Sequence, residues 1–410
     1  MLSILSLLRF ETYVIYVIFI TFLIVIDFVS YKLIVNLLVS KYKVLTKVVK
    51  ALYILISLSV YTVVTWAFFF HKWPCEPINF SLIFDISGNI FALYNPKILF
   101  IICFLLYWLF RKVNQSFARI FIQIAGFFCI LLIFILLWGN YKGRFIYRVQ
   151  NIELKNNLLP QSFDGLKIVQ FSDIHLGTYI GHEEKIAQIV DLINAQHADV
   201  VIYTGDLTNC FAEEIPPFIK CLSKIQAKNA KYAVLGNHDY GDYYKWKNKT
   251  DHINNHKLQI GYYSQMGFQL LQNEHVKLAR KSDTIIVAGI ENWGKKPYRQ
   301  EGDLDEALSS VSDSAFVLLL SHDPSFWDEK VVKKKNIRYT FSGHTHGYQI
   351  GIKINNFEWS PFQFGQKRVA GMYENNGQYL YINRGLGGAL YPGRVGIFSE
   401  ITVFTLKSGS

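Results

Sequence analysis

The sequence has few cysteines and few charged residues. Five of the 410 residues are cysteines and none of them forms a C-x-x-C pair, which excludes a small disulfide-rich scaffold. Only 18% of the residues are charged, whereas 51% are hydrophobic, so the chain is not a disordered protein. Apolar sequence predominates instead, and the mean hydropathy of +0.19 indicates that part of the chain lies in lipid.

Positive charge is concentrated at one end of the chain. Residues 1–148 hold fourteen Lys and Arg against four acidic residues, whereas the remainder holds 28 against 27. Basic residues beside apolar segments meet lipid headgroups and set orientation, so we assign the net charge of +11 to a membrane-facing part. The C-terminal part lacks the basic excess that binds nucleic acid, and no nucleic-acid partner is expected.

Four apolar segments near the N-terminus are candidate transmembrane helices, since about 20 apolar residues cross the hydrocarbon core. They are residues 13–31, 51–70, 98–110 and 120–138. The third is short, because Lys97 and Arg111 enclose it. Asp27 is expected to reach the interface alone, without a charged partner inside a span. The sequence therefore predicts a transmembrane anchor over residues 1–148 and a second domain over residues 149–410.

The basic residues also predict the side on which the second domain lies. With four spans, eight Lys and Arg lie in loops on one side, against six on the side of the C-terminal domain. The positive-inside rule then favours an extracytoplasmic C-terminal domain. Loss of the short third span would invert this prediction.

Short apolar runs that end in Gly, Asp, Asn or His follow residue 148 and predict buried strands that lead into loops. The runs lie at residues 166–173, 199–206, 232–239, 284–290, 315–323 and 337–346. Amphipathic helices are predicted at residues 183–196 and 216–225. Strands that alternate with helices predict an α/β layered domain with much parallel pairing.

The unusual polar residues of this domain all follow predicted strands. They are Asp173, His175, Asp206, Asn237, His238, Asp239, His322, His344 and His346. Groups at the C-terminal ends of neighbouring strands meet at one edge of a sheet, and such polar groups are costly to bury unless they are paired or metal-bound. Each short motif alone more often marks a hydrogen-bonded core residue. The five motifs together predict a two-metal centre with nitrogen and oxygen ligands.

These residues form the blocks D-x-H, GD, GNH(D/E), H and GHxH, in the order found in calcineurin-like metallophosphoesterases. Over residues 164–406 the sequence resembles that family, and the apolar N-terminal part makes it most similar to a membrane-anchored bacterial branch. The resemblance implies a metallophosphoesterase αββα sandwich, in which two mixed β-sheets are flanked by helices.

The resemblance also implies a role for each side chain. A first metal ion would be held by Asp173, His175, Asp206 and His346, and a second by Asp206, Asn237, His322 and His344. The donor atoms suit Mn²⁺, Fe or Zn²⁺ and do not distinguish between them. His238 would protonate the leaving oxygen, and Asp239 would orient its imidazolium. The alternative for His238 is a hydrogen-bonding role behind the ligands.

Two segments beside these blocks are expected to determine the substrate. Residues 240–259 mix aromatic and Lys side chains, which either clamp a phosphate or form a solvated loop. Residues 351–377 carry Phe357, Trp359, Phe362 and Phe364, and aromatic rings favour the headgroup level of a membrane. Together with the anchor, this predicts a lipid-linked or membrane-proximal phosphoester substrate.

The sequence thus predicts an integral membrane phosphodiesterase or pyrophosphatase, in the inner membrane of a bacterium, with the lipid bilayer as a partner. A phosphomonoesterase is the alternative within enzymes. The family also includes enzymes that act on nucleotide-linked diacyl sugars, which would require a cytoplasmic active site. A non-catalytic metal-binding sensor or scaffold is the alternative from another class, but every ligand position is occupied here. Spans without paired polar groups argue against a transporter.

Overall fold

The computed structural model describes residues 2–38, 43–70, 80–294, 299–334, 336–354, 357–363, 367–388 and 391–409. The chain divides into two compact units, Met1–Tyr141 and Lys142–Ser410. This division falls a few residues before the predicted boundary at residue 148, and the assignment of the two domains stays a prediction.

Four helices make up the N-terminal unit, namely α1 (Leu2–Leu38), α2 (Lys43–Phe70), α3 (Phe80–Phe110) and α4 (Gln115–Tyr141). Each helix contains a segment of 25 to 31 residues that is long and apolar enough to cross a membrane. This confirms the predicted transmembrane region. The expectation of a short third span is wrong. Helix α3 begins at Phe80 and continues through Pro96 and Lys97, so the span is as long as the others.

The expectation that Asp27 lies alone near the interface is also wrong. Its carboxylate is buried among α1, α2 and α3, where Oδ1 lies 2.6 Å from Nζ of Lys97 and accepts a hydrogen bond from Tyr53 Oη at 2.8 Å. Oδ2 accepts hydrogen bonds from Tyr61 Oη at 2.6 Å and Tyr94 Oη at 2.7 Å. The argument against a transporter, which relied on unpaired spans, therefore loses its basis.

Two six-stranded sheets form the centre of the C-terminal unit. The first contains β1 (Tyr147–Asn156), β2 (Lys167–Phe171), β3 (Val200–Thr204), β4 (Ala230–Val234), β5 (Gln269–Leu270) and β14 (Ser399–Ser408), in the order β1-β14-β2-β3-β4-β5. The second contains β6 (Glu274–Arg280), β7 (Asp283–Gly289), β8 (Val317–Leu320), β9 (Ile337–Ser342), β12 (Gly371–Asn375) and β13 (Gln378–Ile382), in the order β12-β13-β9-β8-β7-β6. Strands β2 to β5 are parallel, as are β7, β8, β9 and β13, whereas β14 runs antiparallel to β2 and β6 to β7.

Alternating side chains place each sheet between two apolar layers, as expected for strands buried on both faces. Ile168, Val200 and Ile202 face the second sheet, whereas Val169 and Val201 pack against helices. These helices are α5 (Glu183–Asn194), α6 (Pro216–Leu222) and α7 (Lys249–Gln265) on the first sheet, with α8 (Leu304–Ala307) and α9 (Ser325–Glu329) on the second. The predicted sandwich of two mixed sheets flanked by helices is confirmed.

A separate two-stranded hairpin, β10 (Ile352–Ile354) and β11 (Phe357–Trp359), follows the last of the candidate ligands. Phe364, which the sequence analysis grouped with its aromatic residues, lies outside the described residues.

Another difference concerns residues 240–259, which were expected to form a loop. Helix α7 begins within that segment, where the side chain of Asn248 accepts a hydrogen bond from the backbone N–H of Asp251.

Candidate metal centre

The seven candidate ligands lie in loops at the C-terminal ends of five strands. Asp173 and His175 follow β2, Asp206 follows β3, Asn237 follows β4, His322 follows β8, and His344 and His346 follow β9. Backbone hydrogen bonds join neighbouring loops, from Asp173 N to Gly205 O (2.9 Å) and from Gly343 N to His322 O (3.0 Å). The ends of both sheets therefore contribute to one site.

The backbone of this site adopts a conformation that non-glycine residues rarely take. Five of the candidate ligands have positive φ, namely Asp173 (51°), His175 (53°), Asp206 (60°), His344 (76°) and His346 (52°). A left-handed conformation costs an L-residue about 1–2 kcal/mol. Such residues cluster at functional sites, where the surrounding structure holds them in place.

Asp173, His175 and His346 form one group whose ligand atoms lie within 4.8 Å of one another. His346 Nε2 lies 3.5 Å from Asp173 Oδ1 and 3.2 Å from His175 Nε2. His175 Nδ1 lies 3.2 Å from the carbonyl oxygen of Thr208, so a proton on Nδ1 leaves the lone pair of Nε2 directed at the group. This is the usual arrangement of a metal-binding histidine.

Asp206, His322 and His344 form a second group within the same limit, and Asn237 lies between its histidines. The Oδ1 atom of Asn237 is 3.1 Å from His322 Nε2 and 2.8 Å from His344 Nδ1. Asp206 Oδ2 is 3.1 Å from His322 Nε2 and 3.7 Å from His175 Nε2, so this carboxylate contacts ligands of both groups. Gly236 permits the approach, because a Cβ there would lie 2.1 Å from Asp206 Oδ1.

These residues fit divalent cations. Imidazole nitrogens and carboxylate or amide oxygens converge without a thiolate, a donor set that suits several transition metals. Two imidazole nitrogens that face each other at 3.2 Å, on His175 and His346, need a proton or a cation near them. His346 Nδ1 is buried and has no hydrogen-bond partner among the described residues.

The electrostatics of the site also favour a cation. Burial lowers the pKa of His175 to about 3 and keeps this imidazole neutral. Burial opposes the ionisation of Asp206, but the neighbouring histidines, His322 foremost, together outweigh burial and hold the pKa of Asp206 well below its usual range. Burial likewise opposes the charged form of His322, but its interactions with Asp206, together with the charge of Asp173, outweigh burial and raise the pKa of His322. The Asp206 carboxylate is thus ionised and attracts whatever positive charge lies nearest.

His238 lies at the rim of the group and is half-buried. Its Nδ1 is 2.8 Å from the carbonyl oxygen of Asn209, and its ring stacks on Tyr243 with 4.4 Å between ring centroids. The ring also meets His175 edge-on, with centroids 4.8 Å apart. A carbonyl on one ring nitrogen and an aromatic face beside it hold this imidazole next to the candidate ligands.

The hydrogen bonds of the Asp239 carboxylate go to groups other than the imidazole of His238, so its expected role in orienting this ring stays a prediction. Its Oδ1 accepts hydrogen bonds from the backbone N–H groups of Leu207 (2.8 Å) and Thr208 (3.1 Å). Its Oδ2 accepts from those of Gly236 and Asp206, both at 2.9 Å. Asp239 therefore shapes the loop that carries Asp206, and the carbonyl of Asn209 is the group that His238 Nδ1 contacts.

Two buried charged residues that the sequence analysis missed support the ligand loops. The Glu214 carboxylate accepts hydrogen bonds from the backbone N–H groups of Gly177, Asn209, Cys210 and Phe211. The guanidinium of Arg394, which is fully buried, donates to the carbonyl oxygens of His346, Arg384, Gly385 and Gly387. No sequence motif signals either residue, because their partners are mainly backbone atoms, which no side-chain pattern marks.

The segment after the GNHD block contributes one residue to the site. The Tyr243 hydroxyl accepts a hydrogen bond from Asn237 Nδ2 at 2.7 Å, in addition to the stacking of its ring on His238. Lys245, Lys247 and Lys249 are exposed, and Trp246 packs on Phe211. The structure thus brings an aromatic residue of the segment to the site.

Comparisons with known proteins agree with this geometry. Residues 166–348 match the family model for calcineurin-like phosphoesterases. The chain is 32% identical over 258 residues to the uncharacterized metallophosphoesterase YkuE of Bacillus subtilis, which covers 62% of this chain and 84% of that protein. It is 30% identical over 269 residues to a transmembrane protein with metallophosphoesterase domain of Danio rerio, where the match covers 63% of this chain but spans little more than half, 57%, of the relative.

A third relative carries a more specific name. The UDP-2,3-diacylglucosamine pyrophosphatase LpxG of Chlamydia trachomatis is 25% identical over 303 residues, which cover 61% of this chain and 87% of that protein. With the family model, the relative YkuE and the ordered ligand blocks, it follows that the chain belongs to the calcineurin-like metallophosphoesterases, a family of hydrolases that act on phosphoester bonds with divalent metal ions.

Proposed function

We propose that the protein is a membrane-anchored phosphoester hydrolase with a dinuclear metal centre, and that it acts as a phosphodiesterase or pyrophosphatase. The observation that supports this most directly is the position of Asp206. Its carboxylate lies within hydrogen-bonding range of His322 and 3.7 Å from His175, and these two residues belong to different ligand groups. A carboxylate with two oxygens can hold two cations about 3.5–4 Å apart.

The ligands divide between two ions. Asp173, His175 and His346 would hold the first, Asn237, His322 and His344 the second, and Asp206 both. Two such ions lower the pKa of a bound water and neutralise charge on the phosphoryl oxygens during in-line displacement. The identity of the ions stays open between Mn²⁺, Fe and Zn²⁺, since imidazole and oxygen ligands accept all three.

His238 is proposed as the group that protonates the leaving oxygen. A proton on Nδ1 is held by the carbonyl of Asn209 at 2.8 Å, so the other ring nitrogen, Nε2, can carry the proton that is transferred. Tyr243 fixes the plane of the ring by stacking and is itself tied to Asn237. Together these contacts orient the acid.

A lipid-linked or membrane-proximal substrate is supported by the four spans and by one relative. The name of LpxG describes a pyrophosphatase that acts on a diacylated sugar nucleotide. Lys97 pairs with Asp27 between helices and therefore no longer counts as a loop residue. The side of the C-terminal domain then has five basic residues, against eight on the opposite side of the membrane. This count supports an extracytoplasmic domain, which we propose for the inner membrane of a bacterium. A nucleotide-linked substrate would require a cytoplasmic active site, so we infer a lipid phosphoester, and LpxG supports the diacylated part of such a substrate but not its nucleotide.

The experiment that tests this function is metal removal from the purified full-length protein. We expect chelation to abolish hydrolysis of bis(4-nitrophenyl) phosphate and Mn²⁺ or a similar ion to restore it. A parallel assay with 4-nitrophenyl phosphate distinguishes a diesterase from a monoesterase. A protein that binds two ions and hydrolyses neither ester would instead fit the sensor or scaffold alternative.

A further inference from the structure

The β10–β11 hairpin has one face that is apolar and exposed. Ile352 pairs with Trp359 across the strands, and Ile354 pairs with Phe357. Because side chains along a strand alternate between its two faces, these four lie on the same face of the hairpin. Their exposed fractions are 49% for Ile352, 40% for Trp359, 63% for Ile354 and 62% for Phe357. Phe362, just beyond β11, is 50% exposed. Contiguous apolar surface of this kind marks an interaction site.

The opposite face of the hairpin is tied to the catalytic domain by charge. Lys353 pairs with Glu358 across the strands, and Glu358 accepts hydrogen bonds from Arg384, with 3.1 Å from Arg384 Nε to Glu358 Oε1. The same guanidinium also contacts Glu400 in β14. Arg384 precedes Gly385, where a Cβ would lie 2.7 Å from the Cβ of Asp173. The hairpin is thus braced against the loop that packs on a candidate ligand.

A lipid bilayer is the occupant that the chain itself makes available to this face. The fourth candidate span runs to Phe145 and β1 begins at Tyr147, so a single residue of chain separates this apolar segment from the first strand of the domain. Isoleucine, phenylalanine and tryptophan are the residue types that enter the interfacial region of a membrane. Arg148 and Lys353 line a small cavity at the base of the hairpin, together with the ion pair of Arg384 and Glu400. Basic side chains at this place suit anionic headgroups.

We propose that the apolar face of the β10–β11 hairpin docks into the interfacial region of the bilayer and, through Arg384, holds the metal centre at the lipid surface. Docking itself does not depend on hydrolysis. Its consequence for the substrate rests on the proposed function, because the hairpin would present phosphoesters of lipids to the centre in preference to soluble ones.

The first test measures docking without any assay of activity. The full-length protein is placed in nanodiscs of phosphatidylethanolamine and phosphatidylglycerol, with or without brominated acyl chains, and its emission is compared with that of the Trp359→Phe variant. The difference between the two reports Trp359 alone. We expect bromine to quench this difference, whereas the difference for a control, Trp293→Phe, stays unquenched. An unquenched Trp359 overturns the proposal, and a blue-shifted but bromine-insensitive one shows that protein covers the hairpin instead.

The second test measures the consequence. In Ile354→Ser/Phe357→Ser, we expect the rate on a nanodisc-embedded lipid phosphodiester, relative to the rate on bis(4-nitrophenyl) phosphate, to fall roughly tenfold or more, because the variant loses two apolar side chains that docking would bury. The matched control is Leu158→Ser, an equally exposed residue (60%) of the same domain, which should keep the wild-type ratio. An unchanged ratio in the double variant contradicts a role of docking in substrate presentation. If the wild-type protein hydrolyses neither ester, the proposed function is contradicted, whereas the docking of the hairpin is still decided by the first test.

Discussion

His238 and Asp239 are neighbours in sequence but have different tasks at the residue scale. His238 is half-buried and meets the carbonyl of Asn209, whereas Asp239 is buried and accepts four backbone hydrogen bonds. The side chain of His238 is exposed enough to meet a substrate, whereas the carboxylate of Asp239 is occupied by backbone N–H groups and by the hydroxyl of Tyr263. Substitutions at the two positions should therefore have different effects.

Replacement of His238 by Ala should distinguish an acid from a ligand. General acid catalysis contributes about 10²- to 10⁴-fold, and it matters most when the leaving oxygen is basic. We expect His238→Ala to keep its metal content and much of its rate on a nitrophenyl ester while it loses most of its rate on an alkyl ester. Equal losses on both esters, or a fall in metal content, would show that His238 is a ligand or a structural residue.

Replacement of Asp239 by Asn should act on the loop of Asp206 instead. The amide offers one oxygen to four N–H donors, and each buried donor left without an acceptor costs about 1–3 kcal/mol. We expect a lower thermal midpoint and weaker metal binding, with the same relative rates on alkyl and nitrophenyl esters as in the wild type. Calorimetry and metal titration check this, and a selective loss on the alkyl ester in a protein of normal stability would support the acid-orienting role.

At the scale of elements, the loops after β9 and β13 are held together by Arg394. Its guanidinium bonds the carbonyl of His346 after β9 and those of Arg384, Gly385 and Gly387 after β13. Gly387 N in turn donates to the Asp173 carbonyl at 2.7 Å. A single buried cation thus positions loops that carry or contact two candidate ligands.

Arg394→Met should therefore weaken metal binding by tenfold or more, in the range of about 10- to 100-fold typical for residues that support metal ligands. Arg394→Lys keeps the charge but not the planar fork and should give an intermediate affinity. Titration of the metal-stripped protein with Mn²⁺ measures both variants. Wild-type affinity in a folded Arg394→Met protein would remove Arg394 from this positioning role.

At the scale of the whole molecule, the anchor contains more than apolar sequence. Asp27, Lys97 and three tyrosines join α1, α2 and α3 through four hydrogen bonds to one carboxylate. Breaking a buried ion pair from one side typically costs about 3–5 kcal/mol, whereas replacing both partners is often tolerated. We expect Asp27→Asn and Lys97→Met to lower the melting temperature in detergent, and the double variant to recover part of the loss. A double variant as unstable as the sum of both changes would show that the two side chains act independently.

Sequence patterns predicted the strands and the ligand blocks because both depend on local features. A buried strand such as β3 reads as a short apolar run, and the polar residue that ends it, Asp206, follows directly. The ion pair of Asp27 was not predicted because it requires helix α3 to include Lys97. Polar residues such as Asp85 and Asn89 interrupt the apolar pattern in the first turns of α3, so the sequence did not show that the helix begins at Phe80. Arg394 and Glu214 escaped because their partners are mainly backbone groups, which any sequence offers and no side-chain pattern marks.

Metal analysis of Asp206→Asn tests the central claim most directly, because only this residue is asked to serve both ions. Elemental analysis of the purified full-length protein should find two divalent ions per chain in the wild type and a reduced content at both sites in Asp206→Asn, with hydrolysis lower by orders of magnitude. Asn237→Ala, which affects one site, should lose less. Two tightly bound ions in Asp206→Asn would contradict a dinuclear centre organised around this carboxylate.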